Sequence, residues 1–439
     1  MTSPSGLQRR LSLRDLLVYG LLFIGPLAPV GVFGVLDAQA DGAVALVYLV
    51  ATIAMAFTAW SYAEMSRVVP HAGSVFAYAT AGLGGAAGFF AGWLAMLDYL
   101  LIPSVAYLFS GIAMHALVPA VPAWVFTALA FVATTALNLR GVAVAARVGF
   151  VVLLVEVGVL AVFLVAAAVV LASDGPSRSW PSPFFGVTAV DSAMVLGGVS
   201  IAVLSFLGFD AIASFAEENA GDSRQIGRAI LLCLAGAGLA FVAQTAAAAL
   251  LSATPPAELR AAPGRQGTAF YDLTRVALGG WLATLIAVTK AIGPAFAAMT
   301  AQAAAARLLL GMAREGRLPK VLAETDRQRG VPVAALVSTG TLTLAVSIWA
   351  ARRADGLPLL VSIVDVGALA AFALLHASVV GYFVRRQASR RWLAHLLVPL
   401  AGIAVTVWVL IEASPLAQTT GLVWTALGAT ILAARRLRR

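Results

Sequence analysis

The sequence predicts an all-α integral membrane protein with twelve transmembrane helices. Apolar residues make up 61% of its 439 residues and charged residues only 11%, whereas an average soluble domain is about one quarter charged. The apolar stretches are long enough to cross a hydrocarbon core about 30 Å thick. The 29 basic residues lie in short clusters between these stretches. This distribution excludes a soluble enzyme and a nucleic-acid-binding surface.

Glycines, prolines and charge clusters mark the breaks between the apolar stretches. The predicted spans are 15–36, 43–66, 86–117, 121–138, 147–172, 191–216, 226–252, 271–312, 332–351, 357–384, 392–412 and 418–434. The eighth is long enough to contain a kink or an interfacial stretch. The expected organisation is a cytoplasmic tail at 1–14, a ten-helix core at 15–384, two further helices at 385–434 and a basic cytoplasmic tail at 435–439.

The basic residues also predict the orientation. When alternate loops are assigned to opposite sides, 22 of the 29 fall on the side of both termini and six on the other. The remaining one, Lys290, lies within the eighth span. Because cytoplasmic loops carry the excess of Lys and Arg, we expect a multi-pass protein of the cell membrane with both termini cytoplasmic. An odd number of spans would remove this asymmetry, which favours twelve.

The first span contains residues that break a helix. Within ten positions it holds Gly25, Pro26, Pro29, Gly31 and Gly34. Each proline removes a backbone donor and crowds the preceding turn. Irregular backbone is tolerated at membrane depth only where it faces protein or a water-filled cavity. Glycines can also serve close helix packing, but prolines do not, so a binding site is favoured here.

The sixth span is interrupted at a similar place in the chain. It contains Phe206, Gly208, Phe209 and Asp210, with two further glycines at 197 and 198. A glycine close to an acid at this depth indicates an unwound segment. Paired interruptions are typical of transporter binding sites, where half-helix ends face the substrate. Helix packing remains the alternative for this span taken alone.

Four stretches make the sequence similar to a known family. They are GPLAPVGVFG in the first span, SFLGFDAIASFAEEN in the sixth, NLRGVAVAARV after the fourth and RLLLGMAREGRLPKVLAETDRQRGVPVAAL after the eighth. These resemble the amino acid-polyamine-organocation (APC) permeases. PHAGSVFAYA, AGWLAMLDYLLIP and LLVPLAG are similar to the bacterial putrescine-importer branch. The resemblance implies a five-plus-five inverted repeat over 15–384, and a site between helices one, three, six, eight and ten.

The first span departs from the family pattern in two ways. Amino-acid carriers of the family typically read Gly-Ser-Gly-Ile-Phe here, and their backbone N–H groups hold the substrate carboxylate. This chain reads Pro29, Val30, Gly31, Val32 and Phe33, and a proline has no N–H to donate. The putrescine branch places an acid close to this point, where this chain has Gly31. This segment therefore assigns neither an amino acid nor a diamine.

Three acids lie within the spans predicted to form the site. Asp98, followed by Tyr99, is in the third span, Asp210 is in the sixth and Asp365 is in the tenth. An isolated charge at membrane depth is costly, so an intramembrane acid is a functional candidate by default. For Asp98 and Asp210 the sequence favours a substrate-binding role over a structural hydrogen bond. Asp365 could equally lie near the helix start and face water.

Other residues of the sixth span have two possible roles each. Phe206 and Phe209 flank the expected break, where an aromatic ring could close over a substrate, hold an ammonium by a cation-π contact, or pack against neighbouring helices. Glu217 and Glu218 end the span, and we expect ion pairs with nearby basic groups rather than ligand contacts. The expected partners are Arg224, Arg228 or the basic loop after the eighth span.

Glu156 and Lys290 are an acid and a base inside the fifth and eighth spans. Glu156 lies nine residues beyond Arg147 at the cytoplasmic edge, and Lys290 lies nine residues beyond Trp281 near the outer edge, which corresponds to about 13.5 Å from opposite faces of the membrane. In a core about 30 Å thick the two depths agree within about 3 Å, so a salt bridge is possible. Some sodium-independent family members resemble this arrangement, with a lysine at the position of Glu156 whose amine replaces a sodium ion. The pair is thus predicted to couple transport to protons, or to be a static structural pair.

The leading interpretation is a secondary transporter of an amino acid or amine, independent of sodium and either proton-coupled or exchanging. No nucleotide-binding loop, nucleophile-base pair or metal-ligand spacing is evident, so we expect no ATP-driven transport, no enzyme activity, no metal and no cofactor. A channel, or a sensor that retains the fold without transporting, is the alternative. The expected partners are the substrate, protons and the lipid bilayer, without nucleic acid; the oligomeric state is left open.

Overall fold

The protein is described by a computed structural model that covers residues 9–70, 74–188, 191–326, 330–353, 356–412 and 415–437. Most of the predicted tail at 1–14 and the last two residues of the basic tail at 435–439 lie outside these ranges. The described residues are largely helical. Extended pairing is limited, within them, to an isolated bridge between Leu11 and Asn219.

Seventeen α-helices are present in the described part of the chain. In order, α1 to α17 are Leu13–Ile24, Phe33–Gln39, Val44–Val68, Val75–Leu83, Gly85–Leu117, Ala123–Leu139, Val142–Ser173, Ser182–Phe185, Ser192–Ala202, Ser223–Leu251, Pro256–Ala261, Ala269–Ala277, Gly280–Arg314, Val333–Ala351, Gly356–Val379, Val398–Glu412 and Pro415–Leu437. Tighter or wider helical turns extend several of them, at Ala28–Gly31, Val203–Phe206, Phe209–Glu218, Pro263–Arg265, Lys320–Ala323, Val380–Arg386 and Leu393–Leu397.

Ten helical segments of the described residues are long and apolar enough to cross a membrane. They correspond to the predicted spans except the fourth and the twelfth. The fourth coincides with α6, which is apolar but shorter, with 17 residues. The twelfth coincides with α17, which has 23 residues and is not among the ten. The chain is therefore a multi-pass membrane protein, while the count of twelve stays a prediction.

The long eighth segment is divided in two, as its length indicated. The short amphipathic α12 ends at Ala277, and α13 begins at Gly280. Between them Gly279 has a φ of 100°, a left-handed conformation that glycine adopts without a Cβ penalty. The chain turns here, so the membrane span consists of α13 alone.

The bundle has a buried centre and a lipid-facing surface. Helix α5 packs along both α13 and α15, and α3 packs along α10. The most apolar stretch of α5 is 78% buried inside the protein, compared with 33% for α7. Helix α7 instead exposes large apolar side chains such as Val165 and Val169, as expected of a helix that faces lipid tails. Asp98 of α5 is buried and thus lies in the interior.

Candidate functional site

The helix of the first span is broken, as its prolines and glycines predict. Helix α1 ends at Ile24, and Gly25 leaves the helix with a φ of 75°. A short turn at Ala28–Gly31 follows before α2 begins at Phe33. The break leaves backbone groups that need partners, and the side-chain amide of Gln244 on α10 donates a 2.9 Å hydrogen bond to the carbonyl oxygen of Pro26.

Open space lies beside this break. A methyl group added at Gly25 or Gly31 would meet no heavy atom within 4 Å, and both glycines are partly exposed although their neighbours Pro29 and Val30 are buried. Gly34 differs, because a methyl group there would overlap the carbonyl oxygen of Gln266. Gly25 and Gly31 therefore border open space, whereas Gly34 serves close packing.

The sixth span is also interrupted, at the predicted glycine. Helix α9 and the turn Val203–Phe206 end at Leu207, whose backbone is extended. Gly208 has a φ of 115°, and the helical turns Phe209–Glu218 follow. A methyl group at Gly208 would overlap the ring of Phe23, which lies two residues before Gly25. The two breaks therefore contact each other directly.

Asp210 joins the second break to two neighbouring helices. Its Oδ1 accepts a 3.2 Å hydrogen bond from the backbone N–H of Gly208. Its Oδ2 accepts hydrogen bonds from the hydroxyls of Tyr99, at 2.6 Å, and Tyr62, at 3.3 Å. The side chain is only 1% exposed. Tyr99 and Asp210, both predicted from the sequence, are thus in direct contact, and hydrogen bonds within the protein engage both carboxylate oxygens.

The hydrogen bonding of Asp98 and Asp365 differs from that of Asp210. Among the described residues, nothing donates a hydrogen bond to Oδ1 of either side chain, and both atoms are buried. Asp98 lies close enough to Asp210 and Asp365 for the three carboxylates to interact electrostatically. Unpaired buried acceptors cost about 1–3 kcal/mol each, and more when charged. A cation or a hydrogen-bond donor would supply the partners that these oxygens lack.

The aromatic residues of the second break pack inside the bundle. Phe206 lies between Tyr48 and Phe241, with ring centroids 6.2 and 5.0 Å away. Phe209 lies 6.2 Å from Tyr62 and 6.1 Å from Phe372. Both phenylalanines are fully buried. Of the two roles that the sequence leaves open for them, the structure shows the packing role.

A buried ion pair fixes the far end of α2. The guanidinium of Arg178 donates two hydrogen bonds to the carboxylate of Asp37, at 2.7 and 2.8 Å, and a third to Ser252 at 3.0 Å. Arg178 and Asp37 are 6% and 0% exposed. We call these three residues the Arg178 cluster. It ties the half-helix that follows the first break to the end of α10.

A second cluster lies where α1 begins. Arg307 of α13 forms an ion pair with Glu218 and covers the ring of Phe215, with its guanidinium carbon 4.3 Å from the centroid. We call these three residues the Arg307 cluster. The backbone N–H of Leu11 donates a 2.9 Å hydrogen bond to the carbonyl oxygen of Glu218. The two clusters therefore lie at opposite ends of the broken first helix.

These contacts confirm one expectation for the two glutamates and correct the other. Glu217 pairs with Arg314 at 2.8 Å, and Arg314 lies in the basic stretch after the predicted eighth span, as expected. Glu218 instead pairs with Arg307, which lies within that span. Arg224 and Arg228 are closer in the sequence, but they are exposed and do not supply these pairs.

Comparison with known proteins now identifies the family. The model of a family described as amino acid permease matches residues 16–432. The chain belongs to the amino acid permease family. As the resemblance within the sequence implied, it is a permease of the APC superfamily and not an enzyme.

Curated relatives cover nearly the whole permease. The low-affinity putrescine importer PlaP of Escherichia coli is 30% identical over 98% of this chain and 94% of its own. The branched-chain amino acid permease BcaP of Bacillus subtilis is 26% identical over 86% of this chain and 82% of its own. The methylthioribose transporter of Bacillus subtilis is 26% identical, with coverage of 98% and 94%.

Glu156 and Lys290 of the permease belong to one contact between α7 and α13. A methyl group at Gly293, one turn from Lys290, would overlap Oε1 of Glu156. The side chains of Glu156 and Lys290 interact electrostatically, but the expected salt bridge between them is not found in the described part of the chain. Oε2 of Glu156 is buried and accepts no hydrogen bond from the described residues. The two side chains are thus at matching depth, and the coupling role stays a prediction.

Two residues of the permease site were missed by the sequence analysis. Tyr62 donates to Asp210 from α3, and Gln244 caps the first break from α10. The Oε1 atom of Gln244 is buried without a partner in the described part of the chain. Gln244 is a polar residue within an apolar span, so the default reading of intramembrane polar groups as functional could have found it. Tyr62 carries no comparable signal.

Proposed function

We propose that this permease is a secondary transporter of a cationic substrate, an amine or an amino acid with a basic group. The observation that carries the proposal is the pair of unpartnered buried oxygens on Asp98 and Asp365. A protonated amine supplies both the positive charge and the donors that these atoms lack. The importer PlaP, whose name gives putrescine as its substrate, supports a cation independently.

The breaks supply the other half of the proposed site. Gly25, Pro29 and Gly31 would line it from the first helix, and Asp98, Tyr99 and Asp210 from helices three and six. Gly208 would hold the two breaks together, and Phe206 and Phe209 would support the wall from behind. Because Pro29 offers no N–H, a substrate carboxylate would be held less well than in amino-acid carriers.

Uptake into proteoliposomes of purified permease tests the substrate class. We expect labelled putrescine to accumulate, and Asp98→Asn and Asp365→Asn each to weaken its apparent affinity at least tenfold, since each removes a charge from a buried site. Asp174→Asn is the matched control, because Asp174 is exposed at the end of α7. Uptake of leucine but not of putrescine would reject a cationic substrate. Unitary currents in place of uptake would indicate a channel, and neither activity a sensor.

We further propose that transport is independent of sodium and coupled to protons or to exchange. The proximity of Glu156 and Lys290 supports this, since an ammonium within the bundle can replace a bound cation. Lys290→Met is expected to abolish accumulation, and Glu156→Gln in the same chain to restore part of it by removing the lone buried carboxylate. Strict sodium dependence, or a Lys290→Met permease that still accumulates substrate under a proton gradient, would contradict this mechanism.

The proposed topology has twelve spans, with both termini on the cytoplasmic side of the cell membrane. The asymmetry of basic residues supports it. Single cysteine tags next to Met1 and Arg439, introduced after Cys233→Ser, should stay unlabelled when intact cells meet an impermeant maleimide. Labelling of either tag before lysis would reverse the orientation or change the number of spans.

A further inference from the structure

An open pocket of about 300 Å³ lies outside the proposed substrate site. It is formed where α3 ends, where α10 begins and where the chain passes between the wide turns Val380–Arg386 and Leu393–Leu397. Its polar lining comes from Glu64, Arg67, Ser223, Arg224 and Arg391. Three guanidinium groups therefore converge on a space that is large enough for a phosphate group and its neighbouring atoms.

The positive charge of this pocket is only partly neutralised. Among the described residues Glu64 is the one acid that lines it. Glu64 already interacts with Arg67 at 3.3 Å, with Arg391 at 3.8 Å and with the ring of His395 at 3.3 Å. One carboxylate thus faces two arginines, and Arg224 adds a third positive charge. The pocket carries an excess of about two positive charges, which favours an anionic ligand.

Arg224 is the side chain most available to such a ligand. The sequence predicts that it pairs with the glutamates at the end of the sixth span, but Arg307 and Arg314 occupy those carboxylates. Arg224 is exposed, and no hydrogen bond or ion pair to it is found in the described part of the chain. A guanidinium binds phosphate oxygens through paired N–H donors.

The surface beside the pocket is apolar. Trp392, Leu393 and Leu397 follow Arg391 directly and are 57%, 69% and 56% exposed. Tryptophan is enriched where a membrane protein meets the headgroup region, and exposed leucines contact lipid tails. Basic pockets between membrane helices, at the level of the headgroups, bind anionic lipids. Dissolved phosphate would gain nothing from these apolar side chains.

We propose that this pocket binds the phosphate headgroup of an anionic phospholipid, with the acyl chains along Leu393 and Leu397. Arg224 and Arg391 would hold the phosphate from two sides. Since the pocket joins α3, α10 and the segment that leads into α16, the lipid would brace these elements against one another. Glu64 would act as a positioning residue that orients Arg67 and Arg391.

Thermal unfolding of the purified full-length permease, titrated with defined lipids, tests the proposal. Phosphatidylglycerol should raise the unfolding temperature, whereas phosphatidylcholine with the same chains should not. Arg224→Gln should weaken the apparent affinity for phosphatidylglycerol about fivefold, which corresponds to about 1 kcal/mol for one basic side chain near anionic lipid. Arg228→Gln is the matched control, since Arg228 is exposed one turn further along α10 and does not line the pocket.

Three results would overturn the proposal. An equal loss in Arg224→Gln and Arg228→Gln would mean diffuse attraction to anionic lipid. The same stabilisation by inorganic phosphate would mean a site for a free anion. No difference between the two lipids would mean no headgroup site. If Arg224→Gln fails to fold, the pair Arg391→Gln and Arg390→Gln repeats the test, because Arg390 is exposed beside Arg391 and lies outside the pocket lining.

Discussion

The two helix breaks are built in opposite ways. At the first, Gly25 and Gly31 face open space, and Gln244 of another helix caps the backbone carbonyl of Pro26. At the second, Gly208 is pressed against Phe23, and Asp210 is held by three hydrogen bonds. The first break borders open space, whereas hydrogen bonds hold the second break to neighbouring helices. An interruption at membrane depth is therefore not by itself a binding site, and what fills the space beside it decides its role.

Helix α2 follows the open first break, and the buried ion pair between Arg178 and Asp37 holds this helix in place. Replacing Arg178 with Gln leaves the buried carboxylate of Asp37 without its partner. We expect a loss of about 3–5 kcal/mol, because a buried charge is left uncompensated. The measurement is the unfolding temperature of the purified protein by scanning fluorimetry.

Arg260→Gln is the control at the same end of the protein. Arg260 lies 3.7 Å from Asp41 and also donates hydrogen bonds of 3.1 and 2.8 Å to the carbonyl oxygen of Ala38. Its side chain is 50% exposed, and exposed ion pairs contribute about 1 kcal/mol or less. Equal losses of stability in the two variants would show that Arg178 does not stabilise α2 more than Arg260 does.

At the second break, an added side-chain atom at Gly208 should destabilise the protein. Gly208→Ala places a methyl group into the ring of Phe23 and forces a Cβ into a backbone with a φ of 115°. Strain and overpacking each cost about 1–3 kcal/mol, so a loss of about 2–5 kcal/mol in the unfolding free energy is expected. A Gly208→Ala protein that unfolds at the wild-type temperature would mean that Phe23 is free to move away, and that the second break also contains usable space.

The sequence predicted the breaks but not their difference. Prolines at 26 and 29 and the glycine at 208 report a local backbone preference, which a single chain reveals directly. Whether Gly31 faces a void and Gly208 faces a ring depends on how α1 and the sixth span are rotated and placed. That information lies in contacts between residues about 180 positions apart, such as Phe23 and Gly208, and no local pattern encodes it.

The ion pairs show the same limit. Glu218 was expected to use an arginine that is near in sequence or in the loop after the eighth span, whereas the fold supplies Arg307 from within α13. Most span boundaries were predicted within a few residues because they depend on composition, although the membrane helix of the eighth span begins at Gly280 and not at 271. Partners across the bundle depend on helix order and rotation, which composition does not determine.

The contribution of each hydrogen bond of Asp210 to stability should be measurable separately. Tyr99→Phe removes the 2.6 Å hydrogen bond and leaves the buried carboxylate with two donors. We expect a loss of about 1–3 kcal/mol in stability. Tyr78→Phe is the control, because its buried hydroxyl has no hydrogen-bond partner among the described residues. If both substitutions have the same effect, the hydroxyl of Tyr99 does not stabilise the second break.

The smallest effect on stability is expected at the first break. A substitution there should change transport without changing the free energy of unfolding. Gly31→Ala adds a methyl group that meets no heavy atom within 4 Å, so the unfolding free energy should stay within about 0.5 kcal/mol of the wild-type value. The same methyl group would occupy room that the proposed substrate needs, so uptake in proteoliposomes should fall through a raised apparent KM. Gly236→Ala is a matched control, since a methyl group there also meets nothing within 4 Å but lies on α10 away from the breaks. A stable Gly31→Ala permease with unchanged uptake would mean that the space beside the first break does not hold the substrate.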